Sequence, residues 1–454
     1  MSRAGRAGRP RREAWIVVDL GFGDAGKGAT VDFLVRDRGA VGVARFSGGA
    51  QAGHRVVTPD GRSHVFSQLG AGSFVPGVRT HLSADVVTHP LALLFEAAAL
   101  ARAGVSDGLD RLTVHPDAPV ITPFHQAAGR LRELARGDGA HGTCGVGVGE
   151  VMRQATAGGA VLRFGELPRR GATLRRLAAA QEEVRASLGH ALGVDHPDAA
   201  AERALLDDPQ VGARWLEALQ PLLGRTGLIA ADGLERLLAA GPVVFEGAQG
   251  VLLDEWRGFH PHTTWSTCTT ANAERLLAER SYDGPVTRLG VLRSYGVRHG
   301  PGPFPSEHAA WDGLAEAAND DVGWQGRFRR GAFDVPLARY ALSVCPVDGL
   351  ALTHLDQRGP ARAVTAYRAT SDVAGFVRDD RGDVVSLRPG PPKDLEWQQA
   401  LGQALDAVTP RWAEAPERSA GFAGWAEAAL AVPVALTSSG PAASDRRWRQ
   451  EPLR

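Results

Sequence analysis

The sequence predicts an α/β fold in which a mainly parallel central sheet is covered by helices. Short apolar runs alternate with stretches of helical spacing along the chain, and this alternation is typical of parallel sheets with helices on their faces. Three of the apolar runs lead into glycine-rich turns that carry a polar side chain. We therefore expect one large domain over residues 13–454, with a ligand site at the carboxyl edge of its sheet.

Seven short apolar runs are the strand candidates, and they lie at residues 15–19, 41–46, 112–114, 243–246, 286–291, 349–353 and 433–437. Between about 172 and 240 the pattern changes, because Leu, Ala, Arg and Glu recur there at helical spacing. This change predicts a helical subdomain, inserted into the α/β fold, that shapes or covers the site. Its leucine stripes are typical of a core rather than of cofactor contacts.

Composition excludes several classes of protein. The 454 residues include 51 basic and 51 acidic side chains, so no bulk charge favours nucleic acid or a membrane surface. Residues 1–12 are basic and lack a following apolar run, which predicts a disordered tail rather than a signal peptide. No stretch approaches the length of a membrane span. Three scattered cysteines predict neither a disulfide framework nor a zinc site, and they favour a reducing cytoplasm.

Lys27 is one of only two lysines, since every other basic residue except Lys393 is arginine. It ends a glycine-rich turn that follows the first strand candidate. A compact ammonium fits against a phosphate where a planar guanidinium is too wide, and the N–H groups of such a turn form an anion cradle. The turn therefore predicts a nucleotide-phosphate site. A glycine-rich turn with a solvated lysine is the alternative.

This turn resembles a P-loop but departs from it at one position. Gly21 to Lys27 has the G-x-x-x-x-G-K spacing, yet Gly28 stands where Ser or Thr would hold magnesium. Asp24, inside the turn, is the nearby group that could bind the metal or do chemistry.

Two further strand candidates feed small-residue turns. Residues 46–54 end on His54, and residues 244–250 carry Gln249 near the tip. A buried structural histidine is the alternative for His54. Because the carboxyl ends of parallel strands meet at one edge, we expect Asp24, His54 and Gln249 to lie close together.

Two charged elements complete the candidate site. Residues 323–330 cluster guanidinium groups that suit a carboxylate or a phosphate, with a solvated basic face as the alternative. Asp356 comes just after an apolar strand candidate. Its carboxylate can accept two hydrogen bonds from the N1–H and 2-amino groups of guanine, which adenine lacks.

Together these residues resemble the adenylosuccinate synthetase family, the GTP-dependent ligases that join aspartate to IMP. The resemblance runs in order from about Trp15 to the C-terminus, and it rests on residues 23–28, 48–54, 245–250, 302–305, 326–330, 349–356 and 432–441. Each motif is weak alone, but the ordered set is specific. It implies a single domain of this family with a P-loop-like GTP site, and a homodimer.

The resemblance also implies roles for individual residues. Asp24 would remove the purine N1 proton, His54 would stabilise phosphoryl transfer from GTP, and Gln249 would hold the 6-oxygen. Asp24 and the Gly53 carbonyl would bind Mg²⁺. The expected GTP contacts are Gly23, Gly26, Lys27, Gly28, Asp356, Ser439 and Gly440. The expected contacts of the purine nucleotide are Thr143, Cys144, Gln249, Thr264 and Arg327, and those of the amino acid are Arg327 and Arg329.

The departures from the family pattern cluster at the substrate loops. Ala50-Gln51 replaces a pair of asparagines, and Cys144 replaces a threonine that contacts the IMP phosphate. Gly158 aligns with the arginine that reaches across the dimer to that phosphate, and Arg153 is a possible substitute. The amino-acid loop is shortened at residues 323–327, and His354 replaces a lysine that packs on guanine.

These changes predict a diverged ligase rather than a decayed one, because the central chemical groups remain. We expect GTP activation of a purine 6-oxo group, with an altered nucleotide, nucleoside or amine in a specialised pathway. Two alternatives stay open. One is an ordinary IMP and aspartate ligase whose pocket compensates for the changes, and the other is a catalytically silent GTP-binding protein.

Overall fold

The computed structural model describes residues 12–316, 319, 324–357, 359–371, 373–417 and 419–451. Its strands are β1 Ala14–Asp19, β2 Gly42–Arg45, β3 His54–Val57, β4 Ser63–Phe66, β5 Arg79–Leu82, β6 Leu112–Val114, β7 Val243–Glu246, β8 Val286–Arg293, β9 Gly296–His299, β10 Phe328–Gly331, β11 Phe333–Asp334, β12 Gly349–Thr353, β13 Arg362–Arg368, β14 Phe376–Arg378, β15 Val384–Leu387, β16 Thr409–Glu414, β17 Val434–Ser438 and β18 Arg446–Trp448.

The helices cover both faces of the main sheet. They are α1 Lys27–Arg38, α2 Pro90–Arg102, α3 Pro123–Arg136, α4 Val148–Thr156, α5 Arg170–Ser187, α6 Ala199–Asp207, α7 Val211–Ala218, α8 Gln220–Leu223, α9 Gly233–Ala240, α10 Ala271–Glu279, α11 Val335–Val344, α12 Leu395–Asp406 and α13 Ser419–Leu430. Within the part of the chain that the structure describes, no helix is long and apolar enough to cross a membrane.

Nine strands form the central sheet in the order β18-β17-β12-β8-β1-β7-β2-β5-β6. All neighbours pair in parallel except the edge strand β18, which runs antiparallel to β17. The predicted α/β class is therefore confirmed, and all seven strand candidates lie in this sheet. The prediction missed β5 and β18, whose Arg-Thr-His-Leu and Arg-Arg-Trp sequences carry no apolar run.

Strand β1 shows why the sheet needs helices on both sides. All six of its residues are buried. Ile16 and Val18 pack in one apolar cluster, while Trp15 and Val17 pack in another. Successive side chains of a strand point to opposite faces, so the two clusters lie on the two faces of the sheet. Burial on both faces explains the continuous apolar run.

The segment predicted as a helical subdomain contains α5 to α9 and no strand among its described residues. Its last helix, α9, packs on the main sheet, where Leu237 contacts Gly42 of β2. The division into a subdomain stays a prediction. Of the predicted basic tail, residues 1–11 lie outside the described part of the chain. A smaller sheet consists of β11, β13, β14, β15 and β16.

Candidate functional site

A cavity of about 950 Å³ opens at the carboxyl edge of the central sheet. The segments that follow β1, β2, β7, β12 and β17 all contribute to its wall. The cavity brings together most of the residues predicted from the sequence, namely Gly23, Asp24, Gly26, Lys27, Gly28, Gly53, His54, Thr143, Cys144, Gln249, Thr264, Asp356 and Gly440. Ser439, Arg327 and Arg329 are not among its lining residues.

The first glycine turn is folded around the carboxylate of Asp19, the last residue of β1. Its oxygens accept hydrogen bonds from the Gly21 N–H at 2.8 Å and the Ala25 N–H at 2.9 Å. Lys27 Nζ lies 2.9 Å from Asp19 Oδ2, and both side chains are buried. Gly26 has φ 89°, which glycine adopts readily, and α1 begins at the next residue. Lys27 is therefore held at a helix N-terminus that faces the cavity.

Asp24 lies within this turn in the left-handed region, with φ 56°. Burial raises the pKa of its carboxyl, against the attraction of His299 and Lys27. His299 Nε2 lies 3.6 Å from Asp24 Oδ2, beyond hydrogen-bond distance but close enough to favour the carboxylate when the ring is protonated. Among the described residues, six non-glycine residues have positive φ, and Asp24, Gln249 and His354 are the three that line the cavity. Such strain is typical of functional sites.

His54 is held by a buried carboxylate. Its Nδ1 lies 2.6 Å from Glu246 Oε1, and Glu246 Oε2 accepts a hydrogen bond from the Ala71 N–H at 3.0 Å. Burial opposes ionisation of Glu246, but His54 and Arg45 together hold its pKa below the usual value. Burial also lowers the pKa of His54 to about 4. A neutral His54 thus donates Nδ1–H to Glu246 and leaves Nε2 free for a ligand.

Gln249 follows β7 with φ 54°. Its Oε1 and Nε2 atoms are buried, and neither has a hydrogen-bond partner in the protein. Gly250 beside it admits no side chain, because a Cβ there would lie 2.1 Å from the Gly21 carbonyl oxygen. An unpaired buried amide costs free energy, and a ligand that offers hydrogen-bonding groups to Gln249 would remove this cost.

The carboxyl ends of β12 and β17 form another part of the wall. His354 has φ 56°, and its Nδ1 lies 2.9 Å from Thr353 Oγ1. Burial holds the pKa of His354 well below its usual value, so its ring is uncharged. Asp356 is exposed at the cavity rim. Gly440 lines the cavity, whereas its exposed neighbour Ser439 uses its N–H on the Asp445 carbonyl.

A second glycine-rich loop, residues 142–147, lies between α3 and α4. Thr143 and Cys144 line the cavity here, and burial raises the pKa of the Cys144 thiol. Glu133 Oε1 accepts hydrogen bonds from the N–H groups of Gly142 and Thr143 at 2.7 and 3.1 Å. Thr264 lines the same cavity and is fixed by its N–H bond to the Leu253 carbonyl.

The predicted arginines lie just outside the cavity wall. Arg327 and Arg329 both pair with Glu307. Arg329 also donates to the carbonyls of Gly300 and Gly302, which flank the lining residue Pro301. Gly323, the first residue of the predicted amino-acid loop, lies outside the described part of the chain. Arg327 is about two-thirds exposed, so its guanidinium is accessible.

Three residues that shape the site received no role in the sequence analysis. Asp19 and Glu246 each end an otherwise apolar strand, and a lone charge in such a run is the signal that could have identified them. His299 ends β9, and nothing in its local sequence points to Asp24. These partners are separated along the chain and meet only through the sheet order.

Comparisons with known proteins identify the family of this chain. The family model "Adenylosuccinate synthetase" matches residues 16–446. Adenylosuccinate synthetase of Marinomonas sp. (strain MWYL1) is 32% identical over 441 residues, covering 94% of this chain and 96% of the relative. That of Nitrosomonas europaea is 31% identical over 445 residues, with the same two coverages.

Two solved structures share the fold. Fully ligated adenylosuccinate synthetase from Plasmodium falciparum has a TM-score of 0.70 at 20% identity, covering 98% of this chain and 100% of that one. Succinoaminodeoxyadenylate synthetase of cyanophage S-2L has a TM-score of 0.58 at 19% identity, covering 96% and 95%. With the family model matching nearly the whole chain, this chain belongs to the adenylosuccinate synthetase family of GTP-dependent carbon–nitrogen ligases.

Proposed function

We propose that this ligase activates the 6-oxo group of a purine with GTP and then joins an amino acid to C6, with an acceptor specificity that differs from that of an IMP ligase. The observation that carries the proposal is the meeting of Asp24, His54 and Gln249 in one cavity with the Lys27 turn. The two unpaired amide atoms of Gln249 are suited to the 6-oxygen and N1 edge of a purine.

The proposed ligase reaction takes place in two steps, phosphoryl transfer to the purine and displacement of the phosphate by the amine. The Asp24 carboxylate accepts the N1 proton, and the 6-oxygen attacks the γ-phosphorus of GTP, which releases GDP. His54 Nε2 faces the transferred phosphoryl group, and Glu246 keeps the ring oriented. The amine then attacks C6, the 6-oxygen leaves with the phosphate, and the amine loses a proton. Lys27 and the N–H groups of its turn hold phosphate charge.

Adenylosuccinate synthetases use Mg²⁺, and the donors present here fit it. Mg²⁺ takes oxygen ligands, commonly one or two carboxylates with water and substrate phosphate. Asp24 supplies a carboxylate and Gly53 a carbonyl beside the Lys27 turn. Within the described ranges no group of three or more His, Cys, Asp or Glu could hold a metal, so phosphate and water must complete the coordination. The bound metal would neutralise phosphate charge during transfer.

The other substrate contacts are proposed from the family pattern, with Ser439, Arg327 and Arg329 acting from outside the cavity lining. The GTP phosphates would be surrounded by Gly23, Gly26 and Gly28. Asp356 would recognise guanine, together with Ser439 and Gly440. Arg327 and Arg329 would exchange Glu307 for the carboxylate of aspartate or a related amino acid. Thr143, Cys144, Thr264 and Arg327 would contact the purine substrate.

Altered specificity is supported by the residues around the second glycine loop. Gly158 is exposed with no atom near its missing side chain, and Arg153 pairs with Glu150. Gly158 therefore offers no cation to a substrate phosphate, and Arg153 would have to leave Glu150 to provide one. The cyanophage synthetase with this fold is bound to dGMP and dATP, so the fold can accommodate other nucleotides. By analogy with the family we also propose a homodimer that acts in the cytoplasm.

The test is purified protein with Mg²⁺, GTP, IMP and aspartate, following adenylosuccinate absorbance and phosphate release together. Little product from IMP and aspartate, with GTP-dependent turnover of another oxopurine or amine, is expected. Adenylosuccinate formation at ordinary enzyme rates would instead make the chain an IMP ligase whose pocket compensates. No turnover across a panel of oxopurines and amines would make it a silent GTP-binding protein.

An Asp24→Ala variant supplies the internal control. It should abolish turnover while GTP binding remains measurable, because the N1 proton loses its acceptor while the Lys27 turn stays in place. Turnover at the wild-type rate in this variant would exclude Asp24 as the base.

A further inference from the structure

We infer that the acceptor lies with an uncharged end against the second glycine loop, so that the substrate is a purine nucleoside rather than a nucleoside monophosphate. This inference rests on the proposed activation of a purine 6-oxo group. It deepens that proposal by naming the class of acceptor. The loop of residues 142–147 and the start of α4 form a wall of the cavity, and a glycine-rich loop before a helix N-terminus is a common anion site. The guanidinium groups of this wall are already paired with carboxylates.

The first two N–H donors of the loop are already occupied. Glu133 Oε1 accepts from Gly142 and Thr143, while its other oxygen lies 2.7 Å from Arg136 Nη1. The Glu133 side chain is only 4% exposed. A phosphate approaching this end of the loop would meet a fixed carboxylate where it needs donors, and the two negative charges would repel each other.

A second carboxylate occupies the helix N-terminus. Glu150 lies in the first turn of α4, where the positive end of the helix dipole already favours it. It pairs with Arg132 at 3.2 Å and with Arg153 at 3.4 Å. Two guanidiniums line this wall, those of Arg136 and Arg153, and each is paired with a carboxylate, although Glu150 is shared between Arg153 and Arg132. A phosphate dianion would have to compete with these carboxylates for a cation, whereas a neutral group would not.

Uncharged groups occupy the remaining surface. Gln51 lines the cavity with both amide atoms buried and without a protein partner, and it lies near Val148 at the start of α4, since both would contact a side chain at Gly49. The Trp265 indole lies against Gly149, and the Trp324 indole lies against Gly145. An unpaired amide suits the hydroxyl groups of a ribosyl unit, and an indole ring can pack against the apolar face of that unit. Each indole offers a phosphate only one N–H donor and no positive charge.

The binding test uses wild-type protein with Mg²⁺ and a non-hydrolysable GTP analogue, titrated with inosine and with IMP by calorimetry. We expect inosine to bind at least tenfold more tightly than IMP. Equal affinities, tighter binding of IMP, or no binding of either compound would overturn the inference.

Turnover in the same preparation separates this inference from the proposed function. With GTP and aspartate present, phosphate release could be faster for IMP than for inosine. That result would contradict the nucleoside assignment but would agree with the proposed ligase reaction. If inosine binds more tightly than IMP but no oxopurine supports phosphate release, the proposed ligase reaction is wrong. The inference that this wall prefers an uncharged group is then kept.

Substitutions then assign the selectivity to individual side chains. Glu150→Gln removes one carboxylate and should narrow the inosine-to-IMP affinity ratio severalfold, whereas Glu217→Gln, on exposed α7, should leave it unchanged. Gln51→Ala should weaken inosine binding about tenfold, and Gln220→Ala, at the exposed start of α8, serves as its control. A ratio unmoved by Glu150→Gln together with unchanged inosine affinity in Gln51→Ala would contradict the assignment.

Discussion

Lys27 Nζ lies 2.9 Å from Asp19 Oδ2 in a pair of buried side chains. The same carboxylate accepts two N–H groups of the glycine turn, so one residue fixes both the shape of the turn and the position of its cation. With Lys27 assigned to the GTP phosphates as proposed, nucleotide phosphate would share or replace this partner. The pair would then couple the stability of the turn to GTP binding.

Asp19→Asn is expected to lower the unfolding free energy by about 3 kcal/mol, because it leaves the Lys27 ammonium buried without its counter-ion. A bound phosphate would supply that charge, so Mg²⁺ and GTP should stabilise the variant more than the wild type. Urea denaturation with and without Mg²⁺ and GTP measures both effects. Asp32→Asn is the matched control, since Asp32 pairs with Arg36 on the same helix but does not line the cavity. Equal GTP stabilisation in all three proteins would contradict the coupling.

Glu246 is expected to position His54 rather than to touch substrate. Glu246→Gln preserves size and the Ala71 contact, but it removes the charge that fixes the His54 tautomer and supports its protonated form. We expect kcat to fall about 100-fold with little change in the KM for GTP. Steady-state kinetics with the best acceptor measures kcat and the KM for GTP separately.

Glu96→Gln is the control for that variant. Glu96 is also a buried carboxylate, and it accepts backbone N–H groups of residues 67–69 away from the cavity wall. The Glu96→Gln variant should be less stable than the wild type but should keep the wild-type kcat. A fall in kcat of the same size in both variants would indicate a general packing effect rather than positioning of His54.

The strained backbone at Gln249 is expected to lower stability while the side chain supports activity. Its φ of 54° costs a non-glycine residue about 1 kcal/mol, and glycine removes that strain. Gln249→Gly is therefore expected to raise the unfolding free energy by about 1 kcal/mol while abolishing turnover. Ala431→Gly relieves a similar φ of 55° at the exposed end of α13, and it should stabilise the protein without changing activity. Loss of stability in Gln249→Gly would refute the strain argument.

The sequence predicted the sheet well because buried parallel strands are apolar along nearly their whole length, as in β1 and β7. It missed β5, whose backbone pairs with β2 and β6 despite polar residues. The glycine turns marked the positions of Asp24 and Gln249 because tight turns need particular residues locally. The partners Asp19, Glu246 and His299 could not be assigned, since their distances depend on strand order. Glu133 likewise becomes informative only once α3 lies beside the second glycine loop.

Asp334 gives a prediction for the pH dependence of stability, away from the proposed chemistry. Its Oδ1 accepts hydrogen bonds from the Leu337 N–H and the Tyr367 hydroxyl, while its buried Oδ2 has no partner. Burial raises the pKa of Asp334 to about 6. The folded protein therefore retains a proton between about pH 4 and pH 6 that the unfolded chain releases, so this contribution to stability is present below pH 4 and is lost as the pH rises through 6.

Asp334→Asn keeps an acceptor for the Leu337 N–H and the Tyr367 hydroxyl but cannot titrate. Comparison with the wild type therefore isolates the contribution of Asp334 ionisation to stability. The difference in unfolding free energy between variant and wild type should shift in favour of the variant by about 2 kcal/mol between pH 4 and pH 7, since one pKa unit corresponds to about 1.4 kcal/mol and the unfolded chain has already released about half of its proton at pH 4. Urea denaturation at several pH values measures this difference. A difference that stays constant across the range would mean that Asp334 is already ionised in the folded protein at pH 4, and that its two donors outweigh the effect of burial.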